Sequence, residues 1–408
     1  MKGSIIRRGR GWRIGYYTSK RDLKTGDKIR VWETVYGSKS EAQRRLREAL
    51  SQLDKGLYVK PTKLTVGQWL DEWLNSHAAA LSPRTRVSYE MIVRQHLKPA
   101  LGHILLPELE PRHLEAFYAK HQADGRVDGK GALSPTTVRY CHSLLRESLA
   151  HAVRLGVLGR NVAEVASPPR KARRTMIALS VDDVHRFLSA ASESPLYPFF
   201  ATLVYTGTRR GEALALRWSN LDLDSMTLTV VESAFKLNGQ WHFKEPKTAS
   251  GKRGIDLPPR LVLLLKHYKE TEENRRLMLG GALTENDLVF SYPDGRPLDP
   301  SSASHSFKKI ARRAGLPHLR LHDLRHGHAT IMLQSGVDAK TLADRLGHSS
   351  VRTTLDVYCH PTSSLQKEAA QRFEDFLEKG GPRENGAKVV PTDVQKRVGV
   401  VGFEPTTT

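Results

Sequence analysis

Two arginines, two histidines and a tyrosine carry most of the chemical potential of this 408-residue chain. Four of the five fall in one stretch, LHDLRHGHATIMLQSGVDAKTLADRLGHSSVRTTLDVYCH, which begins at Leu321. His322 and Arg325 stand three apart in a helix-like run, so both side chains project from one face. His348 sits in a Leu-Gly-His-Ser-Ser turn, and Tyr358 ends the short helical run that follows. Arg209 comes from TGTRRGE far upstream, at a turn leading into a helix, where a rigid guanidinium fork can meet a phosphate. Glu212, three residues on, is placed to hold that guanidinium. A phenol of pKa ~10 needs help to act as a nucleophile at neutral pH. Adjacent cations supply it, because they stabilise both a phenolate and the added charge of a pentacoordinate phosphorane. The set suits phosphoryl transfer without a metal.

Each residue alone has a plainer reading: Arg209 as a surface arginine paired with a capping glutamate, Tyr358 as packing at a helix end. The neighbours shift the balance. Histidines at four-residue spacing within His322, His326 and His328 can bind zinc, but Asp323 stands where the zinc-protease motif has Glu. Arg325 shares the His322 face, and a fixed positive charge there favours an oxyanion over a dication. Pro246-Lys247-Thr248-Ala249-Ser250-Gly251 lies between strand-like runs, which puts Lys247 near the end of a mobile hairpin, able to protonate a leaving 5′-hydroxyl. The plainer reading is a surface lysine at a turn.

The elements that must position these groups belong to a multidomain chain. Residues 1–57 read as a small basic β-sheet plus helix. Trp12–Tyr17 and Ile29–Tyr36 alternate as strands do, with turn chemistry at Lys24-Thr25-Gly26-Asp27, and a charged helix runs from Ser40 to about Lys55. Arg and aromatic side chains interleave there, as suits a sheet laid in a DNA groove. Residues 62–165 read as all-α, with Val66, Trp69, Leu70, Trp73 and Leu74 at helical spacing. Leu81-Ser82-Pro83-Arg84-Thr85 and Leu133-Ser134-Pro135-Thr136-Thr137 form a quasi-repeat in which Ser is the N-cap and Pro the first helical residue. Ser167–Arg174 is a basic linker, residues 175–379 are mixed α/β and mainly helical, and 380–408 form a poorly ordered tail. Val181–Ala191 reads as an amphipathic helix, Phe199–Tyr205 as another apolar run, Thr227–Val231 as a strand, and Asn238-Gly239 as a hairpin turn.

Lys and Arg total 64 against 43 Asp and Glu, a net charge of +21, so the expected partner is a polyanion. No apolar run reaches spanning length and the basic N-terminus lacks the apolar region of a signal peptide, so a soluble, cytoplasmic protein is expected, with no membrane partner. Cys141 and Cys359 are the only cysteines, too few for a disulfide framework or a Cys-rich zinc site.

TGTRRGEALAL, PKTASGKRGIDLP, LHDLRHGHAT and LGHSSVRTTLDVYCH, in this order and at similar spacing, resemble the motifs of tyrosine recombinases, the phage-integrase family. The resemblance implies an arm-type DNA-binding domain at 1–57, a helical core-binding domain at 62–165 and a catalytic domain at 175–379. It implies that Tyr358 attacks the scissile phosphate to form a 3′-phosphotyrosyl link, with Arg209 and Arg325 clamping the non-bridging oxygens. His322 and His348 would hydrogen-bond the phosphate or assist proton transfer, Lys247 would be the general acid, and Glu212 would support Arg209. No cofactor or metal is needed. The implied partners are double-stranded DNA attachment sites, a homotetramer formed through a Holliday junction, and an excision factor or host DNA-bending protein. An apolar stripe at Leu365, Ala369, Phe373, Phe376 and Leu377 would dock on a neighbouring protomer or fold back onto its own domain.

Three other readings stand beside this one. A non-catalytic DNA-binding regulator explains the charge but not the Arg–His–Arg–His–Tyr set. A relaxing topoisomerase shares the chemistry but not the arm domain, and a metallohydrolase would be sensitive to chelators. Finally, Gly402-Phe403-Glu404-Pro405 can be encoded by the complement of the T-arm consensus of tRNA genes, so the tail would be read from an attachment site inside such a gene.

Overall fold

The computed structural model describes residues 3–21, 25–54, 62–77, 80–129, 131–171, 179–246, 248–358 and 363–378. Lys247, Cys359 and the tail from residue 379 on therefore lie outside the described residues. The chain divides into two compact units, Met1–Thr175 and Met176–Thr408.

In the first unit, strands β1 (Ser4–Arg8), β2 (Gly11–Arg21) and β3 (Lys28–Tyr36) form an antiparallel sheet in that order, followed by helix α1 (Lys39–Asp54). Strand alternation explains its two faces. Ile14 and Tyr16 turn inward and pack with Ala42, Leu46, Ala49 and Leu53 of α1, while Arg13, Gly15 and Tyr17 take the opposite face. On that face the Arg13 and Arg30 guanidiniums lie over the Trp32 ring at 4.7 and 4.2 Å. Gly15 opposes Trp32 across the strands, and a Cβ there would come 2.6 Å from the indole, so the ring needs a residue without a side chain beneath it. β1 is an element that periodicity did not reveal: Ser4-Ile5-Ile6-Arg7-Arg8 is short and basic, and pairing with β2 makes it a strand.

A second apolar core in this unit gathers Trp69, Trp73, Leu97, Leu114, Phe117, Leu144, Leu145 and Leu149. It is built by α2 (Val66–His77), α3 (Pro83–Ile92), α4 (Lys98–Leu101), α5 (Pro111–Asp124) and α6 (Pro135–Arg154). A π-helical segment, Val93–Leu97, joins α3 to α4. The paired caps are present: Ser82 and Ser134 each accept from the backbone N–H three residues on, with Pro83 and Pro135 at the start of the helix. The tyrosines of this quasi-repeat, Tyr89 and Tyr140, meet edge to face at 6.1 Å.

The second unit is mixed α/β and mostly helical. Its core joins Phe187 of α7 (Val181–Ala191), Phe199 and Phe200 of α8 (Tyr197–Thr206), Leu214 of α9 (Arg210–Leu214), Leu228 and Ile255. Strands β4 (Leu221–Asp222), β5 (Thr227–Val230) and β8 (Arg253–Asp256) make one antiparallel sheet, and β6 (Ser233–Leu237) with β7 (Gln240–Lys244) make a separate hairpin. Asn238 and Gly239 both have positive φ, 49° and 81°, as the hairpin turn requires. One expectation fails here. The strands on either side of Lys247 do not pair with each other: β7 pairs with β6, and β8 pairs with β5. The reason is burial, since Ile255 opposite Leu228 takes β8 into the core while the β6–β7 ribbon remains half-exposed.

The remaining helices are α10 (Pro259–Met278), α11 (Pro300–Arg313), α12 (Asp323–Gln334), α13 (Ala339–Leu346), α14 (Val351–Tyr358) and α15 (Ser363–Glu378). Phe373, Phe376 and Leu377 of α15 are exposed. Among the described residues no helix is long and apolar enough to cross a membrane.

Candidate active site

Three chain segments that are remote in sequence close around one cleft of about 500 Å³, lined among others by Arg209, Glu212, Phe235, Lys244, Gly347 and His348. Arg209 is the N-cap of α9, so it leaves the loop just where the helix begins. The loop before it is held by hydroxyls: Thr206 Oγ1 donates to the Thr202 carbonyl at 2.6 Å and lies 3.0 Å from Thr208 Oγ1. Gly207 ends α8 with φ of 65°, where a Cβ would meet the His328 ring at 2.5 Å.

Glu212, at the third position of α9, accepts the Arg209 backbone N–H at 2.8 Å and Arg209 Nη1 at 2.7 Å. It also accepts Arg253 Nη2 at 2.8 Å. Burial of this carboxylate raises its pKa, but the hydrogen bond and charge of Arg253, followed by those of Arg209, outweigh burial and leave it below the ordinary value. Arg253 is almost wholly buried, whereas 43% of the Arg209 side chain remains accessible.

Arg325 projects from the first turn of α12 and is buried. Its Nη1 donates to the Gly207 carbonyl at 2.8 Å and its Nη2 to the Leu346 carbonyl at 2.6 Å. These acceptors end α8 and α13, so one cation caps two helix C-termini. His322 precedes α12 at its N-cap position, one residue outside the expected helix. At the helix entry Asp323 accepts the backbone N–H and the guanidinium of Arg320. The His322 ring meets His326 edge-on at 4.7 Å. Its pKa is lowered by burial first, then by His326 and Arg325.

His348 follows Gly347, whose φ of 68° ends α13. His348 Nδ1 lies 2.9 Å from Thr354 Oγ1, and Thr354 is fully buried on α14. With the hydroxyl donating, Nδ1 accepts and the ring proton sits on Nε2, the tautomer that donates to an oxyanion. Burial first, then the charges of Arg325, Arg209 and Arg253, pushes its pKa down to about 4. The imidazole is thus neutral at pH 7, a hydrogen-bond donor more than an acid.

The structure therefore brings Arg209, Glu212, His322, Arg325 and His348 together. Lys247 lies outside the described residues, although Pro246 and Thr248 on either side line the cleft. Tyr358 closes α14 four residues after Thr354, and its side chain is outside the described set. His328 belongs elsewhere: its Nδ1 donates to the Val204 carbonyl at 3.0 Å and its Nε2 accepts from Arg345 Nε at 3.3 Å. Sequence reading passed over Arg253, Arg345 and Thr354. The available signals were an arginine two residues before the core-facing Ile255 of a strand and a threonine facing inward on the helix that carries Tyr358.

The profile described as the phage integrase family matches residues 178–364, and that of the phage integrase N-terminal SAM-like domain matches residues 65–121. A tyrosine recombinase XerC-like protein of Caldanaerobacter subterraneus is 26% identical over 92% of this chain and 99% of its own length. An integrase of Saccharopolyspora erythraea is 27% identical over 88% of this chain and 90% of its own. Among solved structures, the Tn1549 transposon integrase in complex with a circular intermediate DNA superposes with a TM-score of 0.64 at 19% identity, covering 76% of this chain and 99% of that one. A lambda integrase tetramer bound to a Holliday junction gives 0.53 at 18% identity over 88% of this chain and 96% of its own. These structural likenesses concern the fold. The sequence matches make the chain a member of the phage integrase family and a tyrosine recombinase, an enzyme that cuts and rejoins DNA strands.

Proposed function

We propose that this chain integrates or excises a mobile element by strand exchange between double-stranded DNA attachment sites. Tyr358 Oη attacks the scissile phosphorus, a 3′-phosphotyrosyl bond forms, the bond to the 5′-oxygen breaks, and Lys247 supplies the proton to that oxygen. Arg209 and Arg325 take the non-bridging oxygens, and His322 and His348 donate hydrogen bonds to them. The ester retains the bond energy, so the reverse attack by a 5′-hydroxyl reseals the strand without ATP or metal. The observation that carries the reading is convergence. Arg209 and His348 line one cleft, and the Arg325 guanidinium is bonded to the carbonyls of Gly207 and Leu346 just before them. His322 stands at the N-cap of the helix that carries Arg325, with Tyr358 at the end of the helix whose Thr354 meets His348.

The finer layout follows from the same reading. Residues 1–57 serve as an arm-type DNA-binding domain whose open sheet face presents Arg13, Arg30 and Trp32. Residues 62–165 serve as the core-binding domain, 175–379 as the catalytic domain, and 380–408 as a tail. Separate apolar cores within the first unit support the division of its two parts. Four protomers assemble on DNA, with the exposed Phe373, Phe376 and Leu377 of α15 docking on a neighbour or folding back onto their own domain, and an excision factor or host DNA-bending protein is a candidate partner. The enzyme works in the cytoplasm, on the nucleoid.

The test is incubation with nicked DNA carrying the candidate attachment site, in EDTA, followed by denaturing electrophoresis. Wild type should give a covalent adduct that Tyr358→Phe abolishes. Salt-sensitive binding without any adduct from wild type would instead mark a DNA-binding regulator.

A further inference from the structure

Arg253 joins three segments of the second unit through its guanidinium, and the chemistry proposed above does not use it. Its Nη2 and Nη1 reach Glu212 at 2.8 and 3.4 Å, its Nη1 reaches the Gly251 carbonyl at 3.2 Å, and its Nε reaches the Arg345 carbonyl at 2.7 Å. One guanidinium thus joins α9, the segment just after Lys247, and the end of α13 that carries His348. Gly347 lies so near that a Cβ there would come 2.7 Å from Arg253 Nη1.

Charge is the second part of the observation. Glu212 sits buried between two guanidiniums, one negative charge against two positive. If Arg253 were neutral, the carboxylate would be balanced by Arg209 alone, and the pair facing the cleft would carry no net charge. A cation held in a full ion pair has little field left for a phosphate. With Arg253 satisfying the carboxylate from behind, Glu212 orients Arg209 without cancelling it.

We propose that Arg253 is a positioning and charge-balancing residue for the recombination reaction: it neutralises Glu212 from the buried side, leaving the positive charge of Arg209 available to the scissile phosphate. The proposal rests on the assignment of Arg209 to that phosphate. It does not place Arg253 in contact with DNA.

The experiment measures the single-turnover rate of covalent adduct formation on nicked attachment-site DNA, with DNA affinity measured in parallel on the full chain. Arg253→Gln should slow adduct formation by roughly a hundred-fold, the loss typical of a removed electrostatic donor, while affinity changes little. Adding Glu212→Gln should recover at least roughly ten-fold of that loss, because the excess negative charge has gone. A scaffold role predicts the opposite, a double variant no faster than Arg253→Gln, and that result overturns the proposal. Arg253→Lys decides the case independently if Arg253→Gln does not fold. It keeps the charge but not the fork, so it should stay within roughly ten-fold of wild type. Activity as low as that of a folded, adduct-deficient Arg209→Ala would refute the charge argument. Arg209→Ala and Tyr358→Phe run alongside. An adduct that forms without Arg209 removes the underlying assignment, whereas one that needs both residues but ignores Arg253 removes this inference alone.

Discussion

Arg325→Lys tests whether the proposed phosphate ligand is also a structural keystone. The arginine gives separate nitrogens to two buried carbonyls, Gly207 at 2.8 Å and Leu346 at 2.6 Å. A lysine keeps the charge but gathers its donors on one nitrogen, so the carbonyls ending α8 and α13 cannot both retain a partner. Leaving one buried acceptor unsatisfied costs about 1–3 kcal/mol, and weaker capping of a helix C-terminus adds up to about 1 kcal/mol. For a unit of this size each kcal/mol moves the midpoint by roughly 2–4 °C, so a loss of about 1–4 kcal/mol lowers it by roughly 2–16 °C. Differential scanning calorimetry of the full chain reads this, because the first unit supplies an unaltered transition as an internal control. Adduct formation on nicked DNA should fall by roughly a hundred-fold or more in the same variant. An unchanged second-unit transition would refute the keystone role. A wild-type rate of adduct formation would refute the assignment of Arg325 to the phosphate.

Further expectations concern pH, backbone and charge. His322, His326, His328 and His348 all have lowered pKa values, burial being the largest cause for each. The unfolded chain therefore binds protons more readily, and stability present above the ordinary value of 6.5 is lost as pH falls toward 4. His328, displaced from 6.5 to about 4 and nearly fully buried, contributes about 3 kcal/mol of that dependence, which denaturant titrations across this range should show and His328→Gln should reduce. Gly207→Ala forces a left-handed residue against the His328 ring, costing about 1–3 kcal/mol, and a lower midpoint with slower cleavage should accompany it. Arg30→Gln should reduce the slope of log affinity against log salt for arm-site DNA by about 1, and an unaltered slope would remove the open sheet face from the DNA interface.

Local chemistry was legible where a residue acts on its own neighbourhood. Ser82 and Ser134 cap as their flanking prolines suggest, Asn238-Gly239 turns the hairpin, and the amphipathic run Val181–Ala191 is helical over those bounds. Arg209, Glu212 and His348, singled out by residue type and order, line one cleft, and the phosphate roles read from them are those proposed above. What stayed hidden depends on distant partners. Nothing near Arg253 announces that Glu212 and Arg345 await it, 41 and 92 positions away. His328 stands among histidines that suit a site, yet the Val204 carbonyl, 124 positions upstream, fixes it in the core. The strand-like runs on either side of Lys247 invite pairing as a hairpin, but the burial of Ile255 against Leu228 sends β8 to another sheet.

The order in which the cleft is assembled along the chain has a genetic consequence. Its supports come from Gly207–Glu212, then Gly251–Arg253, then His322–Arg325, and last from Arg345–Thr354, whereas the cores of the first unit close by Ala166. A nonsense or frameshift mutation anywhere between these limits abolishes cutting while sparing the parts assigned to DNA attachment. Such a product would also lack α15, so it would compete for attachment-site DNA without the helix proposed to join it to intact subunits.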